Sequence, residues 1–502
     1  MVGRSINAMV DNCNGTSMDA LPDEVIEFIL SFVSTYKDLH NCMAVSERWK
    51  RCAENVRQVK NRKFHKSIAD MDMNWTRVSV APNTAGITRR FSHSAVVCDD
   101  LMYIFGGCTS SMTTFNDLWK LDLNTRMWIR PITTGAYPSP KACSTLVQYK
   151  EMLILFGGWT YPPSYPLHQS WHLYDELHVY DKSKNQWTCI NTMLTPPPMA
   201  GHSASVVGDW MIVFGGLQRQ QGEVHCEKSN VVWKLNLVTW TWTQQLFEGG
   251  QRPKGRFGAT QVVLDEKNLL ILGGSAGPNI QFHDCWILNM EGDAWKWIRV
   301  SLLDRDNEAQ NIWSNPGCLV GDKLVVLNKR RNNKEAHSVV YYPRSQWLTA
   351  LPEHPRFSRI DLANRPNDVD DNVNGRRGSL LNRHQEKCSQ ATQQRNIQHT
   401  VELSPMAKKR LIAMPKSNEL SMTVCVLDIA QVLTAGTAKW LMPKTLSSNG
   451  PEETILYSLV QGQSELIMFG GILKDCKTLF PCDLSNQISN CLQFITAHDY
   501  VI

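Results

Sequence analysis

The sequence predicts a mainly β protein that is built from repeated four-stranded units, with a short helical module in front of the repeats. Three observations lead to this prediction. An apolar run that ends in paired glycines recurs along the chain, a tryptophan follows each of the first four pairs in a separate strand-like segment, and residues 21–60 show helical periodicity. The chain has 502 residues, 42% of them hydrophobic, which is enough apolar material for a large core.

The glycine pairs and the tryptophans define the repeat. The second glycines of the first four pairs lie 51, 58 and 58 residues apart, whereas the fifth pair follows after another 197 residues. The glycine pairs are Gly106 and Gly107, Gly157 and Gly158, Gly215 and Gly216, Gly273 and Gly274, and Gly470 and Gly471. The tryptophans that follow the first four pairs are Trp128, Trp187, Trp242 and Trp297.

Segments such as residues 118–123 alternate apolar and polar side chains, as a strand between a packed face and a wetter face should. Together with the period of about fifty to sixty residues, this pattern resembles the kelch repeat, in which each unit forms one four-stranded blade of a β-propeller. We therefore expect the glycine pairs to permit close backbone approach and the tryptophans to fill the space between blades.

Counting strands accounts for the long gap before the last glycine pair. A fifth unit begins near Trp313 with residues 317–320 and 324–327 as its first two strands, without a glycine pair. Two segments could continue it: residues 339–342 with Trp347, or residues 424–429 with Trp440. The second fits better, because residues 427–429 mirror residues 121–123 and Trp440 lies 16 residues before the next unit.

The sixth unit ends without a fourth strand, and the residues around Trp75 form a strand-like segment that stands alone before the first repeat. We expect residues 74–78 to supply that missing strand and to close the ring, which removes exposed sheet edges. Residues 74–328 and 419–502 then form six blades of about 56 residues each.

The residues between these two parts, 329–418, form an insertion in the fifth unit. They hold 17 Lys or Arg and 8 Asp or Glu and few apolar side chains, so they cannot offset the entropy cost of ordering. We predict a disordered, basic insertion there and a disordered amino terminus over residues 1–19.

The amino-terminal module, residues 20–66, has the signals of three short helices. Pro22 suits a first helical turn, and two apolar stripes recur on helical spacing, one with Val25, Ile29 and Phe32 and the other with Ile26, Leu30 and Val33. The set Leu21-Pro22, Ile29-Leu30, Val45-Ser46 and Arg48-Trp49 resembles the F-box.

The F-box resemblance implies that this module docks on the Skp adaptor of an SCF ubiquitin ligase, and through it on cullin and RING subunits. It implies contacts from Leu21, Pro22, Ile26, Ile29, Leu30 and Trp49, although some of these residues could instead form the module's own core. The full expectation is a six-bladed kelch β-propeller with an amino-terminal three-helix F-box and a long disordered insertion, acting as a non-catalytic substrate receptor for ubiquitination and proteasomal degradation.

The substrate is expected at one end of the propeller, where the loops between strands gather. The candidate residues are four cations for acidic groups and four side chains of a long loop as anchors: Arg89, Arg90, Lys141 and Arg256, and Trp159, Tyr161, Tyr165 and His168. Arg90 and Arg256 could instead brace neighbouring loops.

No nucleotide-binding, hydrolase or metalloprotease motif is present, and we expect no metal or other cofactor. His93 and His202 recur before first strands and could be copper ligands of a propeller oxidase, but a hydrogen-bonding role fits better. The other alternative is a kelch scaffold or actin-binding protein without ligase function. The 15 dispersed cysteines and the absence of a signal-like or membrane-spanning segment predict a cytoplasmic or nuclear protein without a membrane or nucleic-acid partner.

Overall fold

The computed structural model describes residues 18–78, 86–109, 113–161, 172–219, 226–247, 249–277, 280–292, 294–309, 312–313, 315–329, 421–444, 449–473 and 488–498. The predicted disordered amino terminus, apart from its last two residues, and the predicted insertion, apart from Lys329, lie outside these ranges, as does the alternative segment 339–347. In the described residues no helix is long and apolar enough to cross a membrane.

Three helices form the amino-terminal module: α1 (Asp23–Ser31), α2 (Lys37–Met43) and α3 (Glu47–Asp70). The hydroxyl of Ser46 caps α3 by accepting a hydrogen bond from the Trp49 amide at 3.2 Å. The module has its own buried cluster, which consists of Ile26, Leu30, Leu39, Cys52, Ala53 and Val56. Short 3-10 turns cover Met18–Ala20 and Arg305–Asn307.

Within the ranges given above, the strands form six blades, each with four antiparallel strands. From the inside outwards, the strands are Ser94–Cys98, Leu101–Phe105, Leu118–Asp122 and Met127–Ile129 in blade 1; Thr145–Tyr149, Met152–Phe156, Leu177–Asp181 and Gln186–Cys189 in blade 2; and Ser203–Val207, Trp210–Phe214, Val232–Asn236 and Thr241–Gln245 in blade 3. They are Thr260–Val263, Asn268–Leu272, Cys285–Asn289 and Lys296–Leu303 in blade 4; Gly317–Val320, Lys323–Lys329, Met422–Asp428 and Thr437–Trp440 in blade 5; and Ser458–Gln461, Glu465–Phe469, Leu492–Thr496 and Asn74–Val78 in blade 6.

Blade 6 contains both ends of the propeller sequence. Its outer strand, Asn74–Val78, pairs antiparallel with Leu492–Thr496, and Trp75 lies opposite Ile495. Blade 5 also joins distant parts of the sequence, because Lys323–Lys329 pairs along its whole length with Met422–Asp428. Blades 4 and 5 are further joined by a parallel ladder between Ser301–Leu303 and residues 437–439.

Short additional strands form small ladders beside the blades. They are formed by Thr134–Gly135 against blade 2, Trp159–Thr160 with His172–Leu173, Leu217–Gln218 with Met199–Ala200 and Glu227–Lys228, Ser275–Gly277 with Ile280–Gln281, and Thr454–Ile455 with Ile472–Leu473.

The repeated tryptophans pack between blades. Each of four outer-strand tryptophans meets the aromatic residue that precedes the glycine pair of the preceding blade, with ring centroids about 5 Å apart. The pairs are Trp128 with Phe469 at 5.0 Å, Trp187 with Phe105 at 5.5 Å, Trp242 with Phe156 at 4.8 Å and Trp297 with Phe214 at 5.1 Å. Trp440 and Trp75 are buried in clusters that join blade 5 to blade 4 and blade 6 to blade 5.

Four of the five glycine pairs connect their blade to the next through a backbone hydrogen bond, donated by Gly107, Gly158, Gly216 and Gly471. Gly215 and Gly216 have φ of +73° and +92°, which L side chains rarely adopt, and a Cβ on Gly215 would lie 2.6 Å from the Arg256 carbonyl oxygen. The Gly216 amide donates to that same oxygen at 2.8 Å. Blade 5 has no glycine pair, and there the Tyr457 hydroxyl of blade 6 donates to the Leu327 carbonyl at 2.9 Å.

The two ends of the propeller differ. At the end where first strands begin, the backbones of Leu456, Ser92, Cys143, Gly201 and Gly258 form a chain of four hydrogen bonds of 2.8–3.0 Å across five blades. All five have positive φ. In the described residues, the second strands end and the third strands begin at this same end. The opposite end carries the tight turns, and it is there that Tyr36 and His65 of the helical module meet turns of blades 6 and 5. We call these the loop end and the turn end.

Candidate partner-binding surfaces

The helical module is held to the turn end by a buried polar network. The Tyr36 hydroxyl donates to Glu465 at 2.5 Å and accepts a hydrogen bond from the Gln463 amide at 3.1 Å. Arg126, from a turn of blade 1, binds both Glu465 oxygens at 2.8 Å. Burial and the neighbouring Glu465 carboxylate raise the pKa of Tyr36 well above its usual range, so the hydroxyl keeps its proton.

Apolar contacts reinforce this attachment. Phe64 and Ile68 of α3 are fully buried in a cluster with Val325 and Val424 of blade 5 and Leu466 of blade 6. After α3 ends, the chain enters the outer strand of blade 6 within four residues. The module and the propeller therefore form one continuous core.

Three of the predicted substrate contacts are wrong. Arg90, Lys141 and Arg256 have fully buried side chains and are paired within their own blades, with Asp117 at 2.7 Å, Glu176 at 2.6 Å and Asp284 at 2.6 Å. Their carbonyl oxygens accept the hydrogen bonds from Gly471, Gly107 and Gly216 of the preceding blades. Because burying an unpaired charge is costly, these cations brace the joints between blades and cannot reach a substrate.

The carboxylates that face these cations stay ionised in spite of partial burial. Burial alone would raise the pKa of Asp117, but the hydrogen bonds and charge of Arg90 outweigh it and hold that pKa below its usual range. The same balance lowers the pKa of Asp284 beside Arg256 and of Glu176 beside Lys141. The three carboxylates are therefore charged in the folded protein at neutral pH. Burial lowers the pKa of Lys141, and the Glu176 carboxylate opposes that shift.

The remaining predicted substrate residues fall in different places. Arg89 is exposed at the loop end. Trp159 is buried in an apolar cluster at that end, so it is not the exposed anchor that was expected, and its ring meets the half-buried Tyr161 edge-on at 4.5 Å. Tyr165 and His168 lie outside the described residues. The structure thus leaves Arg89 and Tyr161 accessible at the loop end.

His93 and His202 are buried hydrogen-bonding residues between blades. Nε2 of His93 lies 2.8 Å from the Ser458 hydroxyl, and Nε2 of His202 lies 2.9 Å from the Thr145 hydroxyl. Burial lowers the pKa of both imidazoles to about 3. Across the described residues, no three His, Cys, Asp or Glu side chains converge in a way that could hold a metal ion.

The buried histidines predict an acid sensitivity. Unfolded His202 takes up a proton below its ordinary pKa of 6.5, whereas folded His202 stays neutral until about pH 3. The unfolded state therefore binds more protons in this window, and stability falls as the pH is lowered, by about 1.4 kcal/mol per pH unit for each such histidine. We expect His202→Gln, which can keep the bond to Thr145, to show a shallower loss between pH 6.5 and pH 4.5. Denaturant midpoints at several pH values measure this, and equal slopes in both proteins would contradict it.

The side chains predicted to contact the adaptor differ in burial, since some lie in the module core and others are exposed. Ile26 and Leu30 are buried inside the module, so the prediction that they touch an adaptor is wrong. Leu21 and Trp49 are half-buried against the same cluster. Pro22 and Ile29 are exposed. Of the two apolar stripes on α1, the one with Ile26 and Leu30 faces the core and the one with Val25, Ile29 and Phe32 faces outwards.

Exposed apolar side chains extend this surface beyond the predicted set. Phe28 is 57% exposed and Phe32 is 76% exposed, and their rings pack edge-on at 5.0 Å. With Val25 and Ile29 they form what we call the apolar patch of α1. Phe28 follows Val25 and precedes Phe32 at helical spacing, which is a signal in the sequence that could have identified it. Large exposed apolar patches mark interaction sites in soluble proteins.

Comparisons with known proteins agree with this architecture. The family model described as "FBX42, beta-propeller domain" matches residues 90–295, and the model described as "F-box-like" matches residues 18–66. Kelch domain-containing protein 1 of Mus musculus is 30% identical over 221 residues, which cover 39% of this chain and 52% of the relative. Kelch domain-containing protein 3 of Homo sapiens is 27% identical over 250 residues, 47% of this chain and 60% of the relative.

The chain thus spans about half the length of the curated relatives it matches. The solved structure of YjhT aligns with 84% of this chain and 98% of its own, at 14% identity and a TM-score of 0.48.

The helical module is thus similar to an F-box-like domain, and the blades are similar to a kelch-type propeller domain, in the two regions that the family models match. Within that class, its propeller is similar to that of FBX42, F-box only protein 42, and the similarity is at the level of the family.

Proposed function

We propose that this protein is the substrate-recognition subunit of a Skp-cullin-F-box ubiquitin ligase. The apolar patch of α1 binds the Skp-type adaptor, and the loop end of the propeller captures the protein to be ubiquitinated. The observation that carries this proposal is the exposed apolar patch on an F-box-like module that shares a buried cluster with a propeller. Such a receptor needs no catalytic group, because the recruited conjugating enzyme supplies the chemistry.

The attachment of the module supports different binding roles for the two ends of the propeller. The module occupies the turn end through Tyr36, Phe64 and Ile68, so that end is partly covered by the chain itself. The described contacts of the module lie at the turn end, whereas the second strands end and the third strands begin at the loop end. A ligase receptor needs its adaptor and its substrate on separate surfaces, and this arrangement supplies them.

The charges and apolar side chains at the loop end favour one kind of substrate segment. Its buried cations are neutralised by Asp117, Glu176 and Asp284, so they offer no net charge to a ligand. Half-buried apolar side chains lie around the chain of backbone hydrogen bonds, among them Cys143, Tyr161, Cys226, Leu456 and Ile472. These features support recognition of an apolar segment of a protein substrate rather than of a highly acidic one.

The decisive experiment uses the full-length protein, co-expressed with a Skp-type adaptor, a cullin and a RING subunit. We expect all four to co-purify and the complex to transfer ubiquitin to proteins held by the propeller. Proteins trapped by the wild type and by a variant with changes at the loop end, compared by mass spectrometry, would identify the substrate. Failure of the wild type to bind the adaptor would refute the proposal and leave the kelch-scaffold alternative.

A further inference from the structure

The outer face of α3 carries a dense run of positive charge that the proposed function leaves unused. Residues 50–66 hold seven lysine or arginine residues and a single acidic residue, Glu54. Six of these cations are exposed, and we call them the basic stripe: Lys50, Arg51, Arg57, Arg62, Lys63 and Lys66. Arg51 pairs with Asp23 at 3.5 Å, whereas the other five make no ion pair with any acid in the described part of the chain.

The basic stripe adjoins the apolar patch of α1. Three contacts show that α1 runs alongside α3: Arg48 with Asp23 at 2.6 Å, Asn55 with Glu27 at 2.8 Å, and Lys60 with the Val33 carbonyl at 3.2 Å. Each joins a residue of the α1 region to one about 27 positions later. Phe32 is therefore level with Val59 of α3, which is itself 37% exposed. The cations Arg62, Lys63 and Lys66 lie three, four and seven residues after Val59, and this spacing places them near Val59 on the helix surface.

The stripe has an energetic cost in the free protein. Like charges at helical spacing repel one another, so seven cations with one acid lower the stability of α3 unless a partner supplies opposite charge. The helix forms nevertheless because its inner face is buried through Val56, Phe64 and Ile68. The charges are thus held in place on a rigid helix, ready to meet a complementary surface.

Apolar and basic surfaces side by side favour a protein as the partner. A protein–protein interface combines an apolar centre with a polar, charged rim, and one partner could cover both parts at once. A nucleic-acid backbone would neutralise the cations but would leave Phe28 and Phe32 against phosphates and water. An anionic membrane can take both basic and apolar side chains, but the match of residues 18–66 to the F-box-like model favours a protein. The charge of the stripe requires that the protein partner be acidic where it meets α3.

We propose that the basic stripe of α3 is the electrostatic half of the adaptor-binding surface, and that the adaptor meets it with a cluster of Asp and Glu side chains. This inference rests on the proposed function and adds to it the charge of the partner. The apolar patch supplies affinity through burial, and the stripe accelerates encounter and orients the adaptor along α3, because long-range attraction acts on the association rate.

The test is a charge reversal with a matched control. The variant Arg62→Glu/Lys63→Glu/Lys66→Glu changes three exposed cations of the stripe. The control Lys228→Glu/Arg252→Glu/Lys254→Glu changes three exposed cations of the propeller that lie away from the module, so both variants alter net charge equally. Association and dissociation rates with the purified adaptor are measured at several salt concentrations, and melting temperatures verify that both variants are folded.

We expect the stripe variant to associate with the adaptor about tenfold more slowly at low salt and to lose most of the salt dependence of the wild type. The control should associate like the wild type. Wild-type rates and salt dependence in the stripe variant would overturn the inference while leaving the proposed function intact. No adaptor binding by the wild type would instead refute the proposed function. Binding of single-stranded RNA or phosphatidylserine vesicles that is lost in the stripe variant, with adaptor association unchanged, would assign the stripe to those ligands and also overturn the inference.

Discussion

Replacing Arg90 by Met should lower the free energy of unfolding by about 3–5 kcal/mol, because it leaves the Asp117 carboxylate partly buried without its cation. Arg90 also donates to the Gly106 carbonyl at 2.9 Å and lies 4.3 Å over the ring of Phe115, so these contacts are lost as well. Denaturant-induced unfolding followed by tryptophan fluorescence measures the change, since the outer-strand tryptophans report on blade packing.

The neighbouring residue supplies the control. Arg89→Met removes the same charge one position earlier, from an exposed side chain, and should change stability by no more than about 0.5 kcal/mol. Asp117→Asn in the Arg90→Met background should recover part of the loss, because it removes the unpaired charge but keeps an acceptor for the Trp119 indole. Equal stability of the two single variants would show that Arg90 does not brace the blades.

Replacing Phe28 and Phe32 together by Ala should weaken binding to the Skp-type adaptor by about a thousandfold, because aromatic anchors at the centre of an interface contribute about 2 kcal/mol each. Both side chains are exposed in the free protein, so their removal opens no cavity in the module core. Adaptor affinity from calorimetry, together with the melting temperature of the variant, measures both effects.

Two further variants sharpen this prediction. Leu246→Ala removes an apolar side chain that is 74% exposed on the propeller, and it should leave adaptor affinity unchanged. Leu30→Ala removes a buried side chain from the module core and should cost about 2–5 kcal/mol of stability before any effect on binding. Wild-type adaptor affinity in the Phe28/Phe32 variant would place the adaptor elsewhere on the module.

Much of the fold follows from patterns that are local in the sequence. The glycine pairs, the tryptophans and the period of about fifty to sixty residues predicted a propeller, and the structure has six four-stranded blades with those tryptophans between them. The pattern can be recognised in the sequence because the blades pack against one another through the same residue types at equivalent positions. Even the placement of residues 424–429 after a long insertion followed from the motif, and this segment pairs in blade 5.

The roles of charged residues were harder to predict, because charge is visible in the sequence while burial and pairing are not. Arg89 and Arg90 are adjacent and identical in type, yet one is exposed and the other is fully buried against Asp117. Asp117 is 27 residues away, and nothing local marks it as the partner. The same holds for Lys141 with Glu176 and Arg256 with Asp284.

The sequence by itself determined the class of the protein: periodicity, glycine pairs and the Leu-Pro to Arg-Trp set are enough to predict a helical module in front of a kelch propeller. Only the tertiary structure decided which of the two stripes on α1 is buried, since both have helical spacing and the choice depends on packing against α2 and α3. It also decided which end of the propeller the module occupies. That depends on contacts such as Tyr36 with Glu465, which lie 429 residues apart and are brought together only when the ring closes.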